Sequence, residues 1–356
     1  MSQSEWQDAV ITQGRDTRWC VSDRFRCFST SRRNEAMTAS TTRRTTAARS
    51  RIAAVGAIAV AGALILTGCG DQTDKASPTP SGAANNSSAP LFSKLPKKIQ
   101  DAGVIKVGTD ATYAPMEFTE GGKIVGVDPD VAAALSKQLG VQFKFESGTF
   151  DTLIGSMQTG RSDLVMSSLT DTKARQEGLD DKGAKTGAGV DFVDYFSAST
   201  GILVKKGNPE GIKTLDDLCG KKVAVQRGTT YEQSAKDQSE KCKAAGKGEI
   251  SIESFPTDAE AQTRVKAGGA VADLNDSPVA AYIAQTAGGG NDFEAIANPT
   301  DAGLFGIAVD KKNTELRDAL KEALDAIIKD GTYKAALDKW NAGSGAVTEA
   351  KINAGS

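Results

Sequence analysis

Between Val104 and Asn275 short apolar stretches alternate with amphipathic ones, and this alternation narrows the possible folds more than any other feature of the chain. Val104–Gly108, Lys123–Val127, Val141–Glu146, Asp163–Ser167, Leu203–Lys206, Val223–Gln226, Ile250–Phe255 and Val271–Asn275 read as strands. Helices fall between them. One is capped by Asp128, with Pro129 at its first position, and runs to Gly140; others cover Phe150–Gly160, Tyr231–Ala245 and Asp258–Ala267. A βαβ rhythm of this kind predicts α/β layers with parallel sheets. After Asn313, residues Leu316, Leu320, Ala323, Leu324, Ile327 and Ile328 share one helical face that stops at Gly331. Tyr333, Leu337 and Trp340 line a short final helix, and both read as core packing.

The N-terminal region reads as an address. Arg43, Arg44, Arg49 and Arg51 precede an uncharged run, Ile52–Cys69, that is too short and wrongly flanked for a lasting membrane span. Its ending Leu66-Thr67-Gly68-Cys69 looks like a bacterial lipobox, in which Cys69 carries the lipid and becomes the mature N-terminus; an ordinary signal peptide with an incidental cysteine is the alternative. Residues 1–36 sit oddly ahead of a signal, so translation is expected to begin at Met37, with 37–68 as the signal peptide. Residues 69–92 are rich in Ser, Pro, Ala and Asn and are expected to be a disordered tether. Residues 69–356 hold 33 basic and 40 acidic side chains, a net charge of −7 that argues against a nucleic-acid partner. Cys219 and Cys242 are a pair in an exported chain. They are expected to form a disulfide between the turn before Lys221–Gln226 and the end of the following helix, two buried thiols being the alternative.

The chain has no histidine, which removes the commonest general base and the commonest metal ligand together, so catalysis is disfavoured and no cofactor or metal is expected. The segment Asp163–Arg175, DLVMSSLTDTKAR, reads as a buried strand turning into a helix that starts at Thr170, with Arg175 facing back toward that start. A helix N-terminus plus a guanidinium suits a small carboxylate; an N-cap threonine followed by a solvated arginine reads equally well. Gln176–Asp191, rich in glycine and charge, reads as a surface loop, and its acidic residues match no EF-hand spacing.

Taken together, VGTDATYAPMEF (107–118), GVDPD (126–130), VMSSLTDTKAR (165–175), VAVQRGTTYE (223–232) and LNDSPVAAY (274–282) look like the polar amino-acid family of extracellular solute-binding proteins, the receptors of ABC importers. The resemblance covers about residues 95–341, and the lipobox and Ala/Gly-rich style are similar to actinobacterial members. It implies a two-lobe, type II periplasmic-binding-protein-like α/β fold whose two sheets are joined by two hinge strands. Lobe 1 would be 93–199 plus 303–345, lobe 2 200–302 and the tail 346–356, with crossings near Ser199–Ile202 and Ala302–Phe305. It also implies roles. Arg175 would clamp a ligand α-carboxylate with the backbone N–H groups of Thr170 and Thr230, Gly228 letting the second lobe approach. Asp276, the Thr170 hydroxyl and the Ser168 carbonyl would take the α-ammonium; the alternative for Asp276 is a plain helix cap before Pro278. Asp110, Tyr113 and Phe150 would form the side-chain end, favouring glutamine or a basic amino acid, although the two rings could simply be core. Two departures bear on ligand identity: Gly268–Ala272 replaces the family's Gly-Arg-x-Asp-Ala pattern, and Met116 stands where an aromatic is usual.

The expected function is therefore a monomeric receptor, lipid-anchored to the outer face of the cell membrane, that captures a free amino acid and delivers it to an ABC permease. A ligand-sensing module of the same fold would need a transmembrane or kinase segment after residue 341. A cyclohexadienyl or arogenate dehydratase of the same fold would need Asp110 or Glu117 as an acid over its substrate, and turnover of prephenate or arogenate discriminates it.

Overall fold

A computed structural model of the protein describes residues 86–180 and 182–356. The doubtful leader, the signal peptide, Cys69 and most of the expected tether lie outside these residues. The chain runs through α1 (Lys97–Ala102), β1 (Val104–Thr109), β2 (Thr112–Tyr113), β3 (Glu117–Glu120), β4 (Lys123–Val125), α2 (Val127–Leu139), β5 (Gln142–Ser147), α3 (Leu153–Gln158), β6 (Leu164–Val165) and α4 (Lys173–Glu177). It continues with β7 (Val190–Lys205), β8 (Lys222–Gln226), α5 (Thr230–Ala244), β9 (Ser251–Phe255), α6 (Asp258–Lys266), β10 (Ala272–Asp276), α7 (Ser277–Thr286), β11 (Phe293–Asp310), α8 (Thr314–Asp330), α9 (Thr332–Asp338) and β12 (Ala346–Ile352).

Among the described residues the main sheet has the order β5-β1-β6-β11-β7-β10-β8-β9, with β12 added on β7, and β2-β3-β4 form a separate antiparallel sheet. The expected parallel ladders are present at both ends, as β5-β1-β6 and β10-β8-β9. Between them β7 and β11 pair antiparallel from Phe293↔Lys205 to Asp310↔Val190, with the register broken between Asn298 and Gly303. The β6 ladder meets the late half of β11 and the β10 ladder meets the late half of β7, so the two strands serve both lobes and merge the ladders into one mixed sheet. Sequence periodicity finds only Leu203–Lys206 of β7. From Val190 to Val204 almost every residue is buried, Asp191, Asp194 and Thr200 included, so neither face is left to solvent and no exposed polar side marks the strand.

Each lobe has its own core. In the first, α2, α8 and α9 pack together, and Leu316, Leu320, Ala323, Leu324 and Ile327 of α8 are buried as the stripe predicts. Fully burying each of these leucine and isoleucine side chains contributes about 1.5–3 kcal/mol. In the second, Ile202, Val223, Val225, Leu274 and Tyr231 surround Cys242, which forms the expected disulfide with Cys219 (Cα–Cα 5.4 Å).

Four expectations are corrected here. The helix expected to be capped by Asp128 begins two residues earlier, at Val127, with Gly126 as its N-cap, whose Cβ would lie 2.3 Å from the Met116 carbonyl oxygen; Asp128 points inward instead of capping. Residues 86–92 are structured: Asn86 N–H donates to Gly140 O, Leu91 N–H to Gln138 O, and Ala89 is buried. The loop expected over Gln176–Asp191 starts inside α4 and ends inside β7. Residues 346–356 are not a loose tail, since β12 pairs with β7 and Ala350 N–H donates to Asp325 Oδ1.

Candidate functional site

The carboxyl ends of β1, β6, β8 and β10 converge where the two lobes face each other, which is where open α/β sheets place ligands. Asp110 follows β1, and its N–H donates to Ser167 Oγ at 2.9 Å. Its carboxylate accepts from Thr112 Oγ1 (2.8 Å) and, across the cleft, from Gln226 Nε2 at the end of β8 (2.6 Å). Burial, the largest influence, raises the Asp110 pKa.

After β6 the chain turns at Ser168, a non-glycine residue with φ of 48°. Two buried carboxyl groups beneath hold that conformation. Glu117 accepts from Ser167 Oγ (2.9 Å) and Ser168 Oγ (3.1 Å), while Asp128 accepts from Ser168 N–H (3.3 Å) and Tyr195 Oη (2.6 Å). Burial raises both pKa values, Asp128 to about 7, and Glu117 is pushed further by the Asp128 charge. Two such groups cannot both ionise cheaply in a dry site.

Thr170 does not start the helix, contrary to the sequence reading. It forms an isolated bridge with Phe305, through Asp171 N–H to Leu304 O (2.7 Å) and Gly306 N–H to Leu169 O (3.0 Å). In that pattern the Thr170 N–H and carbonyl point away from β11. The N-cap is Thr172, whose Oγ1 accepts from Arg175 N–H, and α4 is only five residues long.

The Arg175 guanidinium is half-buried. Nη1 donates to Thr170 O (2.7 Å), Nη2 donates to Gly228 O on the second lobe (3.0 Å), and the guanidinium carbon lies 5.5 Å from the centre of the Phe150 ring. Desolvation lowers its pKa to about 10, which leaves it charged at neutral pH. Among the described residues no carboxylate is within ion-pair distance of it. A desolvated cation answered only by carbonyl dipoles and a ring face is suited to receive an anion.

The second lobe supplies the other side. Gly228 adopts φ of 77°, and a Cβ there would meet Asp151 Cβ at 2.9 Å, so glycine is what permits the lobes to approach at this point. Thr229 caps α5, accepting from Glu232 N–H, and Thr230 Oγ1 lies 3.4 Å from Thr170 Oγ1. Asp276 occupies the N-cap position of α7 but makes no side-chain cap bond. Its carboxylate instead accepts from Tyr113 Oη (2.6 Å) and from the Tyr231 hydroxyl, while its own N–H donates to Tyr113 Oη (2.9 Å). Burial pushes the Asp276 pKa up to about 7 against the lowering effect of both hydroxyls. Earlier on the same strand and at the start of α6, Asp273 and Asp258 are also buried with raised pKa values, Asp258 to about 6, each bonded to Asn275 Nδ2.

Asp110, Tyr113, Phe150, Ser168, Thr170, Arg175, Thr230 and Asp276 thus line one pocket, and Gly228 borders it through its carbonyl. Tyr113 lines the pocket and also packs into the first core; Phe150 packs partly against a smaller cluster around Leu153. Glu117, Gln226, Thr229 and Tyr231 also line it and were missed as site residues. Gln226, Thr229 and Tyr231 lie within the quoted segment VAVQRGTTYE, which was the signal available for them. Glu117 lies within VGTDATYAPMEF and is named from the sequence only as a possible acid of the dehydratase alternative. Among the described residues no cluster of His, Cys, Asp or Glu is arranged to hold a metal ion, and no helix is long and apolar enough to cross a membrane.

Comparison with known proteins agrees with this geometry. Residues 105–343 match the model for bacterial extracellular solute-binding proteins, family 3. The chain is 30% identical over 261 residues to the arginine-binding protein ArgT of Corynebacterium glutamicum, covering 73% of this chain and 81% of that one. It is 31% identical over 264 residues to the histidine-binding periplasmic protein of Salmonella typhimurium, covering 72% and 92%. Among solved structures, an ancestral arginine-binding protein bound to arginine superposes with a TM-score of 0.58 at 38% identity, covering 67% of this chain and 98% of that one. These named relatives are binding proteins, and the architecture is that of type II periplasmic binding proteins.

Proposed function

This chain belongs to family 3 of the bacterial extracellular solute-binding proteins, and on that premise we propose that it captures a free amino acid between its lobes and presents it to an ABC permease. The observation that carries the reading is the pairing of opposite charges across one pocket: the Arg175 guanidinium from the first lobe and the Asp276 carboxylate from the second. A zwitterion answers both. Its carboxylate takes the guanidinium together with the Thr170 and Thr230 backbone N–H groups, and its ammonium takes Asp276, the Thr170 hydroxyl and the Ser168 carbonyl. The register break between Asn298 and Gly303, opposite Thr200 and Ala198, supplies a place for the lobes to hinge. At the far end Asp110, held by Gln226, favours a basic amino acid or glutamine, with Tyr113 and Phe150 flanking the aliphatic part of the ligand. The protein acts as a monomer, lipid-anchored through Cys69 to the outer face of the cell membrane.

A thermal-shift screen of the twenty amino acids against the mature protein tests the reading, because a ligand at 100 times its Kd adds about 2.7 kcal/mol to stability. L-arginine, L-lysine, L-histidine or L-glutamine is expected to raise Tm most. A flat response to all twenty would overturn the assignment. Mass spectrometry of the membrane fraction tests the anchor: a diacylglyceryl group on Cys69 is expected, and an unmodified residue in its place would remove that part of the reading.

A further inference from the structure

The segment after β12 reaches the back of the pocket and fastens the element that carries Arg175. Asn353 turns with φ of 55° and pairs with the backbone of β7: its Oδ1 accepts from Phe192 N–H (2.8 Å), its N–H donates to Phe192 O (3.2 Å), and its Nδ2 donates to Asp191 Oδ1 (3.0 Å). Ala354 N–H then donates to the buried Asp194 Oδ2 (3.0 Å), and Gly355 N–H to Asp171 Oδ2 (2.7 Å). The other oxygen of Asp171 accepts from Gln176 Nε2 (2.7 Å), whose amide also reaches Gly355 O (3.4 Å). Asp171, Gln176 and Gly355 are all buried. A Cβ on Gly355 would sit 2.0 Å from the Asp171 carbonyl oxygen, so any side chain there must push the strand end away from Asp171. Gln176 is the residue next to Arg175 on a five-residue helix. So short a helix has almost no stability of its own, and its position is set by what it is fastened to.

We propose that Asn353–Gly355 is a strap that positions the Arg175 guanidinium through Asp171 and Gln176, and so sets the strength of the carboxylate clamp. The affinity part rests on the amino-acid reading above; the positioning part does not. Asp171 and Gln176 are positioning residues, since neither lines the pocket beside Arg175 as a direct partner of ligand.

The test is Gly355→Val in the mature protein. The first readout needs no ligand: 15N relaxation of the Arg175 Nε–H group, assigned by its loss in Arg175→Lys. Its order parameter is expected to fall from near the rigid value of ~0.85 to below ~0.6. The second compares L-arginine with agmatine, the same molecule without its carboxylate. Gly355→Val is expected to weaken L-arginine at least tenfold and agmatine less than twofold, a split that general loosening of the fold does not produce. Gln176→Ala cuts the same path from the other side, so the double variant is expected to be no worse than the worse single one; it also carries the test alone should Gly355→Val fail to fold. An unchanged Arg175 order parameter, or equal losses for both ligands, overturns the strap. Failure of the wild-type protein to bind any amino acid overturns the functional reading instead, and the relaxation result still decides the strap.

Discussion

Arg175→Ala is the perturbation that most directly probes the pocket. In the free protein the substitution removes two N–H donations to carbonyl oxygens, at 2.7 and 3.0 Å, and the contact with Phe150. Charge-assisted bonds are worth about 1.5–3 kcal/mol each, but the side chain is only half-buried and its removal also relieves its desolvation. The net change in stability is therefore expected to stay within ~2 kcal/mol, a shift in Tm of no more than about 8 °C for a chain of this size. Binding is another matter. Without Arg175 a ligand carboxylate is buried with no cation beside it, which costs about 3–5 kcal/mol, or roughly 150- to 5,000-fold in Kd. Titration calorimetry with L-arginine and agmatine separates the two effects. Wild-type protein should prefer L-arginine by that margin, and Arg175→Ala should bind the two within a few-fold of each other. If the variant loses agmatine as severely as L-arginine, Arg175 supports the scaffold rather than a carboxylate, and the reasoning is wrong.

Other outcomes follow from the same contacts. Because Asp276 titrates near pH 7 and an ammonium needs it ionised, affinity should fall almost tenfold per unit as pH drops below about 7; Asp276→Asn should bind weakly and lose that slope, and a wild-type affinity constant from pH 7 to 5 would contradict it. Glu117, Asp128, Asp258, Asp273 and Asp276 all have raised folded-state pKa values, so the native state holds more protons than the unfolded chain between about pH 4 and 7. Stability present at low pH is lost as pH rises through that window, and Tm should be higher at pH 5 than at pH 8; a Tm that climbs with pH reverses the sign. The Cys219–Cys242 bond spans 23 residues, so replacing both with serine should remove about 3–3.5 kcal/mol, read as a lower urea midpoint with a slope equal to or steeper than wild type, whereas an unmoved midpoint would show that the unfolded chain gains nothing from release of the loop.

Much of this molecule is legible from its residues, for physical reasons that differ by region. Half-exposed elements write their period into the sequence, as α8 does with Leu316 through Ile327. Arg175 and Asp276 are singled out by the family segments around them, because locally a solvated arginine and a plain helix cap fit the same residues. Fully buried strands hide: the middle of β7, with Ser197, Ser199 and Thr200, lies outside the strand read from the sequence, Leu203–Lys206, although β11 satisfies its backbone. Asp128 has the spacing of a cap, and the groups that draw it inward, the Ser168 N–H and the Tyr195 hydroxyl, are 40 and 67 positions away. The strap is invisible for a similar reason. A run of Asn, Ala, Gly and Ser resembles any frayed end until Asp171 and Asp194, more than 150 positions earlier, are found to be waiting for its amides.

The long β7–β11 pair also bears on how the chain reaches this state. Leu164 and Val165 have one neighbour in β1 and await the other in residues 308–309, which a ribosome adds roughly 140 residues later. Until then the early ladder presents a bare edge, and the second ladder cannot close it alone because β10 docks on the opposite side. Folding should therefore be slow and nearly all-or-none, starting only once the late strand is available, as expected for nonlocal pairing. A nick in the late half of β11 would strike the first lobe, whose β6 edge is covered by residues 308–309 alone.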